Sequence, residues 1–347
     1  VGIAGHGDDM KRVGKLALRS IVYFEIVTTL ALAIGLAAVN IIRPGAGVNI
    51  SNGSATLGND LARTHVTISG VIEHIVPQSF FEAAATNEVL QIVFFSVLFG
   101  VALARTSKEK KLTMLAFCES LSEIMFKLTD LVMTFAPFGI GGAIAVTVGA
   151  SGVGVLRHLG LLIVTLYIAL VVFIVCVLIP VALLAKVPLG KFWRAVKQPW
   201  LIAFSTASSE AALPRAFEAM EEFGVPRRIV AFVLPTGYSF NLDGSTLYLA
   251  VASVFIAQAA GIDMSLESQL LMMLTLMLTS KGVAAVPRAS LVILSGALAQ
   301  FDLPLEGVAV ILGVDAVMDM ARTSINLVGN CLATAVMDRW EIVRGER

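Results

Sequence analysis

Five polar side chains recur along one apolar stretch near the C-terminus: Asp315, Asp319, Arg322, Asn326 and Asn330, at steps of 4, 3, 4 and 4. On a helix that spacing sets two carboxylates, a guanidinium and two amides on one face. The surrounding apolar segment, about 305–336, is long enough to cross a bilayer. A charge at membrane depth is expensive and persists where it meets a partner, a cavity or a transported ion. The row therefore reads as the floor of a binding site. Arg322 offers a planar fork that matches a carboxylate with two parallel hydrogen bonds. Asp319, one turn earlier, can pair with Arg322 or take an ammonium group from a ligand.

A second cluster, Ser239-Phe240-Asn241-Leu242-Asp243-Gly244-Ser245-Thr246, interrupts an apolar stretch of about 229–260. Gly244 lets the chain unwind, which frees carbonyls, while Asn241 and Asp243 supply hard oxygen ligands for a monovalent cation. A plain loop with Asp243 as its turn residue is the competing reading. Glu25 lies near the start of the first apolar run with Thr28 and Thr29 one turn on. It is a candidate proton carrier or cation-site neighbour, weighed against a solvated interfacial Glu. His6, His65, His74 and His158 are isolated near loops and carry no catalytic pattern.

The elements that must hold these residues are membrane helices. Of the 347 residues, 57% are hydrophobic and 14% charged, and the mean hydropathy is +0.87. Soluble chains have about 45–50% apolar and about 25% charged residues. Zero net charge without a basic tract argues against nucleic acid. Cys118, Cys176 and Cys331 are scattered without metal-ligand or disulfide spacing. Apolar runs fall at about 21–42, 89–104, 121–148 and 159–185, with loops at 43–61 and 105–111. Basic stretches at 11–19, 105–111 and 186–197 fall on one side when the runs between them alternate, which predicts that they are cytoplasmic. The chain opens on Val1 without an initiator Met and reads as a fragment lacking its natural N-terminus.

The C-terminal half holds an internal repeat. Ala211-Ala212-Leu213-Pro214-Arg215-Ala216 returns 73 residues later as Ala284-Ala285-Val286-Pro287-Arg288-Ala289, each copy preceded by small polar residues. Paired, Pro- and Gly-interrupted apolar segments point to a transporter binding site, where helix ends meet inside the membrane. Positive helix N-termini suit substrate carboxylates there. Arg215 and Arg288 serve either the substrate or a membrane surface.

Together these motifs resemble the dicarboxylate/amino acid:cation symporter family, which includes glutamate transporters and bacterial C4-dicarboxylate carriers. The resemblance covers essentially the whole chain and is most specific at 205–214, 241–248, 280–287 and 315–330. Asn241-Leu242-Asp243-Gly244-Ser245 is similar to the family's Asn-Met-Asp-Gly-Thr signature. The resemblance implies an all-α polytopic membrane protein with re-entrant hairpins at about 199–224 and 266–300 and helices at about 226–260 and 305–338. It implies that residues 1–198 are mainly scaffold and trimerisation region and 199–340 the transport core. It further implies a homotrimer that works by elevator-type alternating access. The family's first two helices would precede this chain.

Residue by residue, the resemblance assigns Arg322 to the substrate's distal carboxylate and Asp319 to its amino group. Ser208, Ser209, Ser245, Val286, Thr323 and Asn326 complete the pocket. Thr28, Thr29, Asn241 and Asp243 would form one cation site, Ser239 and Ser280 a second, and Gly237, Asn326 and Asn330 a third. The transported ion is sodium or a proton, with no cofactor and no enzymatic step. Asn330 stands where sodium-driven members commonly carry Asp, and Val283 where Thr is frequent. Glu210 follows the C4-dicarboxylate branch, whereas Asp319 departs from it, since a dianion has no ammonium to offer. The expectation is a symporter for glutamate or aspartate. The alternatives are a C4-dicarboxylate symporter and a passive anion channel. An intramembrane aspartyl protease built on Asp243 and Asp315 lacks its Gly-x-Gly-Asp signature.

Overall fold

Pro, Gly and polar interruptions cut the hydrophobic sequence into helices that stop at predictable places. In the computed structural model, which describes residues 10–47, 79–85, 89–135, 155–280 and 289–343, every regular element is helical. Helix α1 (Met10–Ile42) starts well before the apolar run at 21. Its extra turns are amphipathic, so that Leu16, Ser20, Tyr23, Phe24 and Val27 form one buried stripe. Next come α2 (Phe80–Ala85), α3 (Val89–Ala104) and α4 (Lys108–Met133). The charged stretch 105–111 is thus mostly helix, not the expected loop. Ser107 accepts the first helical bond from the Lys111 amide at 3.0 Å, and Glu109 complements the positive N-terminus. The expected continuation to 148, and most of the expected loop at 43–61, lie outside the described residues.

Helix α5 (Val155–Phe173) passes through a π-helical turn (Ile174–Leu178) into α6 (Ile179–Leu184). Pro180 has no N–H to give the carbonyl four residues back, so the turn widens and Ile179 bonds Ile174 instead. Helix α7 (Leu189–Thr206) begins ten residues before the expected hairpin boundary and carries Pro199 inside it. It packs against α8 (Ser209–Phe223) across a two-residue break. There Ala207 turns left-handed at φ 50° and Ser208 caps α8 by accepting the Ala211 amide at 3.2 Å. Then follow α9 (Arg227–Phe240), α10 (Asp243–Ala259), α11 (Leu266–Thr279), α12 (Ala289–Gln300) and α13 (Glu306–Val343).

Among the described residues, three helical stretches are long and apolar enough to cross a membrane: Gly14–Ile42, Arg157–Leu184 and Arg227–Ala259. Helix α10 is the centre of the fold, buried along nearly its whole length. It packs against α1, α5, α12 and α13. Its close fit to α1 depends on Gly35, where an added methyl would sit 2.7 Å from the Leu247 carbonyl oxygen. Helix α13 packs in turn on α7, α8, α9 and α10, which brings the two polar clusters of the sequence side by side.

Candidate functional site

Between α9 and α10 the chain leaves helical geometry at Asn241 (φ −122°, ψ 70°) and Leu242 (φ −100°, ψ 55°). Leu242 has no side chain able to cap α10, so the first amides of that helix need another acceptor. Asn326 of α13 provides it. Its Oδ1 accepts from the amides of Gly244 at 2.7 Å and Ser245 at 3.2 Å, while its Nδ2 donates to Ser245 Oγ at 2.9 Å. This cap reaches across 82 residues of sequence. Gly244 makes the approach possible, because a methyl there would overlap the Arg322 backbone.

Arg322 lies in the wall beside this junction and is 2% exposed. Its Nε donates to Asp319 Oδ1 at 2.8 Å and its Nη1 to Asp315 Oδ1 at 3.0 Å. The Tyr248 ring of α10 lies under the guanidinium, 4.2 Å from its carbon, and contributes a cation–π attraction. Asp315 is buried with it, but the Asp319 side chain keeps 22% of its surface. Thr323 Oγ1 donates to the same Asp319 oxygen at 2.9 Å. Two carboxylates against one guanidinium leave the group one negative charge in excess at its accessible edge. Asp315 and Asp319 take two of the five guanidinium N–H bonds.

On the other side of the junction two neutral donors reach the Asp243 carboxylate. Asn241 Nδ2 reaches it at 3.1 Å and Thr28 Oγ1 from α1 at 3.4 Å. Asn241 Nδ2 also donates to Asn330 Oδ1 at 3.0 Å. Asp243, Asn241 and Asn330 are all fully buried. Asn241 Oδ1 and Asn330 Nδ2 have no hydrogen-bond partner among the described residues. A buried carboxylate with an unused amide oxygen beside it suits a monovalent cation or a proton, either of which removes the burial cost of the charge. Gly237 and Gly329 hold the helices this close: a methyl at the first would overlap Asn330, and at the second the Asp243 carboxylate.

Most of the residues singled out from the sequence therefore converge. Ser245, Asp319, Arg322, Thr323 and Asn326 form one group, and Thr28, Gly237, Asn241, Asp243 and Asn330 form its neighbour. Thr29 faces α11 instead, its Oγ1 donating to the Glu25 carbonyl at 2.6 Å and reaching Met277 Sδ at 3.5 Å. Ser280 is buried at the end of α11 and donates to the Met277 carbonyl at 3.0 Å. Ser239 is half-buried on the last turn of α9, and Glu25 half-buried on α1. Ser208 and Ser209 open α8, and Ser208 is spent on capping it. Arg215 is a surface residue, bonded to Glu218 at 2.5 Å and Gln198 at 2.9 Å. Val286, Arg288 and Val283 lie outside the described residues. Tyr248 and Gly329 carry no expected role in the sequence, although Tyr248, an aromatic in the polar signature's own helix, could have been read as a partner for Arg322.

Comparison with known proteins places the chain in a family. The family model described as the Sodium:dicarboxylate symporter family matches residues 1–340. The chain is 45% identical, over 98% of its length and 82% of the relative's, to a proton/sodium-glutamate symport protein of Bacillus caldotenax. It is 44% identical to the proton/glutamate-aspartate symporter of Escherichia coli strain K12, covering 98% and 79% of the two chains. A C4-dicarboxylate transport protein of Bacillus subtilis is 41% identical, over 98% and 82%.

Proposed function

The chain belongs to the sodium:dicarboxylate symporter family, a family of secondary transporters and not of enzymes, and on that premise we propose that it imports glutamate or aspartate together with sodium ions or protons. The observation that carries the choice of substrate is the Asp319–Arg322 pair at 2.8 Å, open on its Asp319 side. Without substrate each charge satisfies the other. An acidic amino acid brings both counter-charges at once. Its ammonium takes the Asp319 carboxylate, and its distal carboxylate takes the guanidinium N–H bonds that Asp315 and Asp319 leave free. Asp315 and the Tyr248 ring hold the guanidinium in place during the exchange. A C4-dicarboxylate would meet Arg322 equally well but would set a second carboxylate against Asp319, which disfavours that reading.

The cation enters at Asp243, Asn241 and Asn330, with Thr28 completing the oxygen set. Asn326 ties the two halves together, since it caps α10 between them and touches Ser245. Loading one half thereby favours the geometry of the other. Thr29, Ser280 and Ser239 belong to a second cation position near the end of α11, with Glu25 as proton carrier in a proton-driven cycle. Ser208, Ser209 and Val286 close the pocket from the two hairpins. Residues 199–340 then act as the transport core moving in an elevator-like step against residues 1–198, whose α1 and α5 travel with the core. The working form is a homotrimer in a bacterial inner membrane.

Proteoliposomes carrying an inward sodium or proton gradient test this reading. Labelled glutamate or aspartate is expected to accumulate above equilibrium and to leave when the gradient is dissipated. Flux that only follows the substrate's own gradient would overturn symport in favour of a passive pore.

A further inference from the structure

A cavity apart from the polar site opens between α5, α6, α7 and α13. It has a volume of about 440 Å³, within the usual range for small-molecule pockets. Its walls run from Tyr167 and Leu170 of α5 to Ala182 of α6, fifteen positions and about 22 Å of helix. Helix α7 lines the same length from Leu189 to Phe204. The α13 wall, at Ala321, Ile325, Val328 and Leu332, is a different face from the one that bears Arg322. Two hydroxyls reach this space and both are used. Tyr167 donates to the Val317 carbonyl at 3.1 Å, and Ser324 donates to the Ala321 carbonyl at 2.8 Å. With both hydroxyls used, the long slot is walled almost wholly by apolar side chains, so it suits hydrocarbon and rejects an amino acid.

The α7 wall of the slot is marked differently. Trp193 and Trp200 stand along it with ring centroids 5.6 Å apart, and Trp200 stacks on Phe204 at 5.6 Å. Around them Lys186, Lys191, Arg194 and Lys197 are exposed, and none forms an ion pair among the described residues. Helix α7 contains no acidic residue. Lys197 stands one turn from both tryptophans, on the flank of the slot. Amphipathic tryptophans mark the level of lipid headgroups, and the positive-inside bias puts 186–197 on the cytoplasmic side, where the leaflet carries anionic lipid.

We propose that this groove binds an anionic phospholipid, one acyl chain lying in the slot between α5/α6, α7 and α13 and the headgroup resting on Arg194, Lys197 and Lys186. The inference rests on the membrane placement of the chain and is independent of which substrate Arg322 binds. Bound there, the lipid bridges α7 to α13 and so links the composition of the inner leaflet to the hairpin α7–α8.

The tryptophans provide the readout. The chain has three, so a Trp340→Phe protein keeps only Trp193 and Trp200. It is placed in phosphatidylcholine nanodiscs containing a small fraction of phosphatidylglycerol with brominated chains, or the same fraction of brominated phosphatidylcholine. Bromine quenches tryptophan on contact. Phosphatidylglycerol is expected to quench more strongly, with an enrichment of about 5-fold for each basic residue engaged. Arg194→Gln with Lys197→Gln should lower that preference by more than about 10-fold, and Ala182→Phe should weaken quenching by either lipid. Substrate binding retained in each variant certifies its fold. Equal quenching by the two lipids, or a preference that survives the double substitution, would overturn the headgroup assignment. No quenching by either would show that protein covers the groove, and would sink the proposal.

Discussion

Replacing Asp319 by Asn isolates its charge, because the amide keeps an Oδ1 acceptor for Arg322 Nε at 2.8 Å and Thr323 Oγ1 at 2.9 Å. What disappears is the attraction for an ammonium group. A hydrogen bond to a charged group contributes about 1.5–3 kcal/mol, so glutamate or aspartate should bind roughly 10- to 150-fold more weakly. A dicarboxylate should respond in the opposite direction. With its second carboxylate about 5 Å from Asp319 and an effective dielectric constant near 20, the repulsion is about 3 kcal/mol. The Asp319 side chain retains 22% of its surface, so solvent screening reduces that to about half. Succinate affinity should therefore rise by roughly 10-fold. Both constants can be measured by titration calorimetry on the purified protein and by counterflow in proteoliposomes. Amino-acid affinity within about three-fold of the parent, together with continued exclusion of succinate, would refute the role given to Asp319.

Two further substitutions probe the neighbouring groups. Asn330→Asp adds a carboxylate 3.0 Å from Asn241 Nδ2 and beside Asp243. The sodium concentration for half-maximal glutamate binding should fall about 10-fold, and an unchanged value would remove Asn330 from the cation site. Arg228→Ala takes the guanidinium 3.0 Å from Glu341, whose side chain is 3% exposed. Thermal unfolding should show a loss of about 3 kcal/mol, largely restored by adding Glu341→Gln, with substrate affinity unaltered. A stability equal to the parent's would show that the pair contributes nothing.

The face made by Asp315, Asp319, Arg322, Asn326 and Asn330 follows from helical period alone, since it is a relation within one helix. The break after Phe240 is legible from residue type, since a glycine and four polar residues at 241–246 interrupt an apolar run. Helix starts proved less legible. The charges of 105–111 suggest a loop, but Ser107 and Glu109 are N-terminal helix signals and the helix takes most of the stretch. The polar start of α1 likewise hides a buried stripe that a search for an apolar run overlooks.

Residue types and local spacing by themselves determine a membrane protein with a guanidinium between carboxylates and a second, oxygen-rich cluster. Tertiary structure decides which of these groups meet. Asn326 caps a helix that begins 82 positions earlier, Thr28 reaches Asp243 across 215, and Tyr248 lies under Arg322 only because α10 packs on α13. Gly237, Gly244 and Gly329 carry no side chain to read in the sequence, yet a methyl at each would meet, in turn, the Asn330 side chain, the Arg322 backbone and the Asp243 carboxylate. The division has a simple cause. Periodicity reports the geometry of one helix, whereas a site made from several helices depends on how their surfaces fit, and that fit is a property of the whole packed core.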